Sequence, residues 1–212
     1  AAEHDDHERE DGRQRRDDLH AVASIVRLSR MADHGLSDKL LAFIEIPKGS
    51  RNKYEYDEGI DQVILDRFLS SSTVYPTDYG YLIGHRGQDG DPLDCLVIVS
   101  EPTFPGCVIP VKPIALFKMK DEKGIDDKII CVPLHDPGWN QLEELDDLPE
   151  NLRKEVPHFF SVYKELDDKP VEIGGWHSRE DALEVIADAK KLQEEQDAER
   201  EREAAQGGDT SA

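Results

Sequence analysis

A chain of 212 residues that carries 47 acidic side chains against 26 basic ones has room for one domain with a full core and some extra tail, but not for two. A formal net charge of −21 repels nucleic acid and anionic lipid, which bind through Lys and Arg, and favours metal cations as partners. No stretch approaches the roughly 18 apolar residues of a membrane span, and no apolar leader opens the chain, so a cytoplasmic protein with no membrane or nucleic-acid partner is expected.

Residues 1–40 hold ten acids and seven bases and read as a charged, flexible extension. Met31 begins a segment from which translation could naturally start. Residues 193–212, with seven acids and two bases, read as an acidic tail. The remaining 41–192 still carry 30 acids against 17 bases, so the domain between the tails is acidic in its own right.

Within it, short apolar runs begin at Leu41, Val63, Cys95, Cys107, Ile114 and Ile129, separated by Gly, Pro, Asp and Asn. Short strands at this spacing predict a sheet closed into a small barrel. Leu152, Val156, Phe159, Phe160 and Tyr163 then recur as the stripe of an amphipathic helix. Pro149 suits its first turn, and Pro157 predicts a kink or a break into two short helices. A second helix is signalled by Ser178 as N-cap with Asp181 three residues on, followed by Ala182, Val185, Ile186, Ala189 and Leu192; it should fray where that face stops. Cys95, Cys107 and Cys131 are odd in number, widely spaced and set in apolar runs, the pattern of buried free thiols.

The chemistry concentrates in HRGQDGDPLDCLVIV, where Asp89, Asp91 and Asp94 precede an apolar run and Gly90 and Pro92 shape a turn. Carboxylates drawn together there repel by about 4 kcal/mol per close pair at an effective dielectric near 20, unless a hard cation such as magnesium, manganese or calcium is held. A solvated Asp-rich turn is the plain alternative. A calcium loop of EF-hand type fails, because its sixth position is Asp94 rather than Gly and its twelfth is Ser100 rather than Glu. Downstream, KMKDEKGIDDKII sets Asp121 and Asp126 across a Gly-containing loop, and an extended segment there would point Asp126 and Lys128 to one face. Glu45, Lys53, Glu55, Arg67, Tyr75 and Tyr79 sit where strands could carry them into the same cavity, with Tyr163 and Lys164 on the first helix. Each has an ordinary reading as edge-strand polar residue, core aromatic or helix rim, and His85 reads as a solvated loop histidine. From the residues alone, a single-stranded nucleic-acid module and a calcium-binding structural domain stay open beside a phosphate-cleaving enzyme.

Taken in order, FIEIPKG, the KYE triplet, YPTDYGY, DGDPLD, the Asp121, Asp126 and Lys128 spacing, and HFFSVYK resemble the soluble inorganic pyrophosphatase family I, of bacterial type, from about Phe43 to Trp176. The resemblance implies an α+β fold, a five-stranded OB-like β-barrel with external helices and the site in its mouth. It implies hydrolysis of pyrophosphate to two orthophosphates by attack of a metal-bridged water. Several Mg2+ ions, with Mn2+ as a substitute, would lie on Asp89, Asp94, Asp121 and Asp126, helped by Glu45 and Glu55. Phosphate contacts carry over to Lys53, Arg67, Tyr79, Lys128, Tyr163 and Lys164, with Tyr75 in support. Asp91 is the expected general base and Asp126 the rival, and the assembly expected is a homo-oligomer, a hexamer rather than a dimer.

Overall fold

The computed structural model describes residues 39–207; the N-terminal extension and Met31 lie outside them. The chain divides into two units, one being Leu40–Gln196. Of the other, Lys39 and residues 197–207, which are helical, are described. The strands are β1 (Leu40–Ile46), β2 (Asn52–Asp57), β3 (Gln62–Phe68), β4 (Asp78–Arg86), β5 (Pro92–Val97), β6 (Val108–Asp121), β7 (Gly124–Ile125), β8 (Lys128–Pro133) and β9 (Glu172–His177). Two helices follow the barrel strands, α1 (Glu150–Val162) and α2 (Arg179–Gly207), with single 3-10 turns before and after α1.

Five strands pair in the order β1, β4, β5, β8, β6, and β6 pairs back onto β1 through Leu40↔Val111 and Phe43↔Val108. The ring is closed, so none of its five strands is left as an open edge. The fold is α+β, as expected. β9 and β7 add onto β6, while β2 and β3 form a separate hairpin. At the β1–β4 seam, a Cβ on Gly80 would stand 1.9 Å from the carbonyl oxygen of Phe43, so only glycine lets the two backbones approach this closely.

β5, β6 and β8 are covered on both faces, which is why their sequences read as apolar runs rather than alternations. Leu96, Ile98, Phe117, Met119, Ile130 and Val132 join Phe159 and Phe160 of α1 in one core cluster. Cys95, Val97, Leu116, Ile129 and Cys131 join Ala182 and Ala189 of α2 in another.

The runs at Cys107 and Ile114, read as two strands, are one strand of 14 residues. Its register slips by one at Ile114, since Pro113 pairs Cys131 and Ala115 pairs Ile130. The bulge inverts the phase: Val111 and Leu116, five apart, share one cluster, while Ala115, Phe117 and Met119 face the other. Period-two reading across this point breaks down, and the two prolines look like punctuation.

Pro157 does not split α1, which runs as one helix. The carbonyl that loses its helical partner to a proline at this position is that of Arg153, and the indole Nε1 of Trp176 on β9 donates to it at 2.9 Å. A tertiary contact supplies the missing donor. α2 opens on the expected cap: Ser178 Oγ accepts from the Asp181 N–H at 3.1 Å and the Ser178 N–H donates to Asp181 Oδ2 at 3.0 Å. Its apolar face stops at Leu192 as read, but the helix continues to Gly207, through Glu, Gln, Ala and Arg residues of high intrinsic helix propensity. The cysteines are free, with Cys95 and Cys131 buried and Cys107 partly so.

Replacing Trp176 by Phe should strand the Arg153 carbonyl and destabilise the protein by about 1–3 kcal/mol, read as a lower urea midpoint by far-UV circular dichroism. An unchanged midpoint would mean that another donor takes over.

Candidate active site

Three strands carry the stripe that faces α1, and on each the stripe ends in a charge at the same end of the barrel. On β5 it runs from Asp94 to Leu96, on the parallel strand β8 from Lys128 to Ile130 and Val132, and on antiparallel β6 from Phe117 and Met119 to Asp121. Asp94 is therefore a strand residue, not part of the turn: β5 begins at Pro92. Bulges bring in more groups. Glu45 is the extra residue between the pairs Ile44↔Gly80 and Ile46↔Tyr79, and Asp66 the extra one between Lys53↔Arg67 and Tyr54↔Leu65. Bulges of this kind re-aim side chains beside functional sites.

These groups surround a cavity of about 450 Å3. Its lining includes Glu45, Lys53, Glu55, Arg67, Tyr75, Tyr79, Asp89, Asp91, Asp94, Asp121, Asp126, Tyr163 and Lys164, every expected metal, phosphate or proton-transfer residue except Lys128. Lys128 lies beneath the floor, 1% exposed, with its ammonium hydrogen-bonded to both Asp94 and Asp126. The Tyr79 hydroxyl donates to the same Asp94 carboxylate. Burial alone would lower the Lys128 pKa, but Asp94 and Asp126 outweigh it and hold the amine charged. Lys164 donates to Asp121 Oδ2 at 2.7 Å, and the Lys123 N–H to Asp121 Oδ1 at 2.8 Å; burial works against ionisation of Asp121, but these contacts win and its pKa falls.

Other carboxylates are less well compensated. Glu45 is pushed up to about 7, first by burial and further by Asp94 and Glu55, although the Tyr56 N–H donates to its Oε1 at 2.7 Å. Burial also raises Asp89, helped by the Asp91 and Asp126 charges, and raises Asp126 despite Lys128. Asp91 stands at the rim, its side chain 61% exposed and 3.1 Å from Lys123 Nζ. In the hairpin, Asp66 lies 2.7 Å from Arg67 and 3.3 Å from Lys53, which also pairs with Glu55. Tyr75 is buried, its ring 5.3 Å from that of Tyr79 and 4.7 Å from that of Phe159. His85 lies on β4, not in a loop, with Nδ1 2.9 Å from the Ile83 carbonyl, and burial lowers its pKa.

Asp89, Asp91 and Asp94 do not converge as the turn suggested. Lys128 draws Asp94 to the floor and Lys123 draws Asp91 to the rim, and among the described residues no three acidic, His or Cys groups form one tight cation cluster. The donor set nonetheless fits hard divalent cations: it is all carboxylate oxygen, and burial, with neighbouring carboxylates second to it, raises Glu45, Asp89 and Asp126, a penalty that a bound cation would offset. Glu58, Arg86, Glu122, Lys123 and Lys169 also line the cavity and were missed. Glu122 and Lys123 stand inside the KDEKG turn and Arg86 beside DGD, but no spacing rule distinguishes them from solvated turn residues.

The family model for inorganic pyrophosphatase matches residues 42–194. The chain belongs to the inorganic pyrophosphatase family. It is 54% identical over 147 residues to the inorganic pyrophosphatase of Methanosarcina acetivorans, covering 69% of this chain and 88% of that one. It is 53% identical over 140 residues to that of Streptomyces coelicolor, covering 66% and 86%. The crystal structure of the Thermus thermophilus inorganic pyrophosphatase superposes with a TM-score of 0.72 at 38% identity, covering 74% of this chain and 93% of that chain. For this family I pyrophosphatase chain, the matched stretch includes every candidate residue from Glu45 to Lys164.

Glu45 ionises less readily folded, near 7, than at its ordinary 4.5. Its contribution to stability is therefore full below about pH 4.5 and lost as pH rises through about 7. In metal-free protein, Glu45→Gln should raise stability by up to about 3 kcal/mol at pH 8 and far less at pH 5, measured by urea unfolding at both. An equal effect at the two pH values would show that Glu45 ionises normally.

Proposed function

We propose that this chain hydrolyses inorganic pyrophosphate to two orthophosphates, using several Mg2+ ions held by Asp89, Asp94, Asp121 and Asp126 with Glu45 and Glu55, and accepting Mn2+ in their place. The observation that carries this reading is one cavity lined by seven carboxylates of the candidate set and by Lys53, Arg67 and Lys164, with Lys128 beneath it. A purely cationic pocket would bind pyrophosphate without activating it, and a purely acidic one would repel it. When bound, magnesium would supply Lewis-acid chemistry, acidifying a water and screening the charge of the substrate oxygens.

The chain's own groups do the rest. Lys128, held charged by Asp94 and Asp126, and Lys164 would turn part of their donor capacity toward phosphate oxygens. Arg67, Lys53, Tyr79 and Tyr163 fix the substrate's orientation from the hairpin, β4 and the end of α1. Asp91 accepts the proton of the attacking water, since it faces the cavity and only an exposed ion pair restrains it. Asp126 is the rival base, but its carboxylate is committed to Lys128. A nucleic-acid groove would need exposed aromatics among basic residues, whereas Tyr75 is buried and the lining is rich in acid.

Assembly into a homo-oligomer, a hexamer before a dimer, is part of this reading; Ile60, Phe68 and Phe104 are each more than half exposed in one copy and would be open to burial by a partner. A cytoplasmic location agrees with three unpaired thiols. Among the described residues no helix is long and apolar enough to cross a membrane.

Orthophosphate release from pyrophosphate should require Mg2+ and stop with chelator. Asp91→Asn should lower turnover by about a hundredfold or more with Mg2+ and pyrophosphate affinities little changed, and an unchanged turnover number would reject Asp91 as the base. Asp94→Ala should weaken Mg2+ affinity along with rate, and a normal Mg2+ titration would overturn its role as ligand.

A further inference from the structure

We propose that Arg86 is a positioning residue for the Asp89–Asp91 turn, a three-way tie that holds the turn to α2 and to the β2–β3 hairpin so that its carboxylates meet cations in a fixed geometry. This rests on the proposed reading of those carboxylates as magnesium ligands. Arg86 is the last residue of β4, with its side chain 13% exposed. Each of its three guanidinium nitrogens has a partner on a different element. Nη1 donates to the Gly90 carbonyl, Nε donates to Gln193 Oε1 of α2 at 3.2 Å, and Nη2 lies 3.9 Å from Glu58 Oε1 in the hairpin turn.

The Gly90 carbonyl is a sensitive point to hold. It belongs to the peptide whose N–H, that of Asp91, donates to Asp89 Oδ1 at 3.1 Å. One peptide plane is thus gripped at its oxygen by Arg86 and at its nitrogen by the Asp89 carboxylate, and tilting it would move both aspartates. Gly90 itself sits at φ +90°, where a side chain would be strained, so the turn depends on outside contacts to keep this plane fixed. Packing does not fill the space behind the turn. A second cavity of about 80 Å3, lined in part by Asp89, Leu93, Val185 and Leu192, lies between the turn and α2. Arg86, which also lines it, spans that gap. Lysine cannot replace it, because a single ammonium does not present the planar fork that reaches three partners. The guanidinium makes no step of the reaction; it acts through Asp89 and Asp91.

The test is direct Mg2+ binding to the full chain without substrate, by titration calorimetry, alongside turnover at saturating Mg2+. Arg86→Ala should weaken Mg2+ binding by about tenfold, as loss of an outer-shell partner does, while most of the turnover returns at saturating Mg2+. Arg86→Lys should not rescue it. Gln193→Leu should weaken binding in the same direction by a smaller factor and add little to Arg86→Ala, since both cut one tie. A folded Arg86→Ala protein with wild-type Mg2+ affinity overturns the proposal. Should that variant not fold, unchanged affinity in Gln193→Leu overturns it equally. A wild-type protein that binds no Mg2+ at all would instead overturn the reading of the site on which this rests.

Discussion

The site depends on a lysine that has almost no access to water. Burying an unpaired ammonium costs several kcal/mol, so Lys128 can lie under the barrel mouth only because Asp94 and Asp126 meet it there. That requirement fixes the start of β5 against the start of β8 and joins the turn after β7 to both. It also sets the electrostatics of everything above. One buried cation between two carboxylates leaves the group net negative; burial makes Glu45 and Asp89 harder to ionise, and the nearby charge of Asp94 on the one and Asp126 on the other adds to it. A positive group suited to phosphate oxygens and a shortage of positive charge suited to metal cations are consequences of one arrangement.

That arrangement is possible because the phase of the strands is controlled. β5, β6 and β8 alternate between a core shared with α1 and a core shared with α2, and the residues of the proposed chemistry are where the α1-facing stripes run out. The stripes would not stay aligned over long strands in a closed, twisted ring. The bulge at Ile114 resets β6 so that Phe117, Met119 and then Asp121 fall on the α1 side, and the bulge at Glu45 turns a carboxylate inward between two buried isoleucines. Irregularities in pairing therefore decide which charges share the cavity.

The same irregularities mark what could be read from sequence and what could not. Short apolar runs with turn residues between them pointed to a closed small barrel, although the run at Val63 lies in the hairpin outside the ring and β4 had no run of its own; the order of polar motifs pointed to much of the cavity lining but not to Glu58, Arg86, Glu122, Lys123 and Lys169. Strand limits around Pro113 were not legible, because an inverted phase looks like the end of one strand and the start of another. Asp94 was grouped with its turn because DGDPLD is continuous in sequence, while the change from turn to strand at Pro92 comes from pairing with β4. The unbroken α1 was hidden for a comparable reason: the donor that compensates Pro157 is Trp176, nineteen residues further along the chain. Local reading sees the lost hydrogen bond but not its replacement. Arg86 has no motif, and its importance lies in reaching three elements far apart in sequence.

Burial also separates the two candidates for proton acceptance. Were Asp126 to take a proton, Lys128 would lose half of its compensation in a place with little water to replace it, and the cost would fall on the folded barrel. Asp91 carries no such obligation. Its pair with Lys123 is exposed on both sides, and pairs of that kind are worth only about 0–1 kcal/mol. Its backbone is the constrained part, set by the Gly87 N–H donating to the Asp91 carbonyl at 2.7 Å and by the grip of Arg86 on the neighbouring peptide. A carboxylate with a held backbone and a weakly held charge can accept and release a proton without disturbing the groups beneath it. The deep carboxylates, by contrast, are hard to ionise where burial outweighs their partners, and a proton moved there would disturb the buried pairs beneath the cavity.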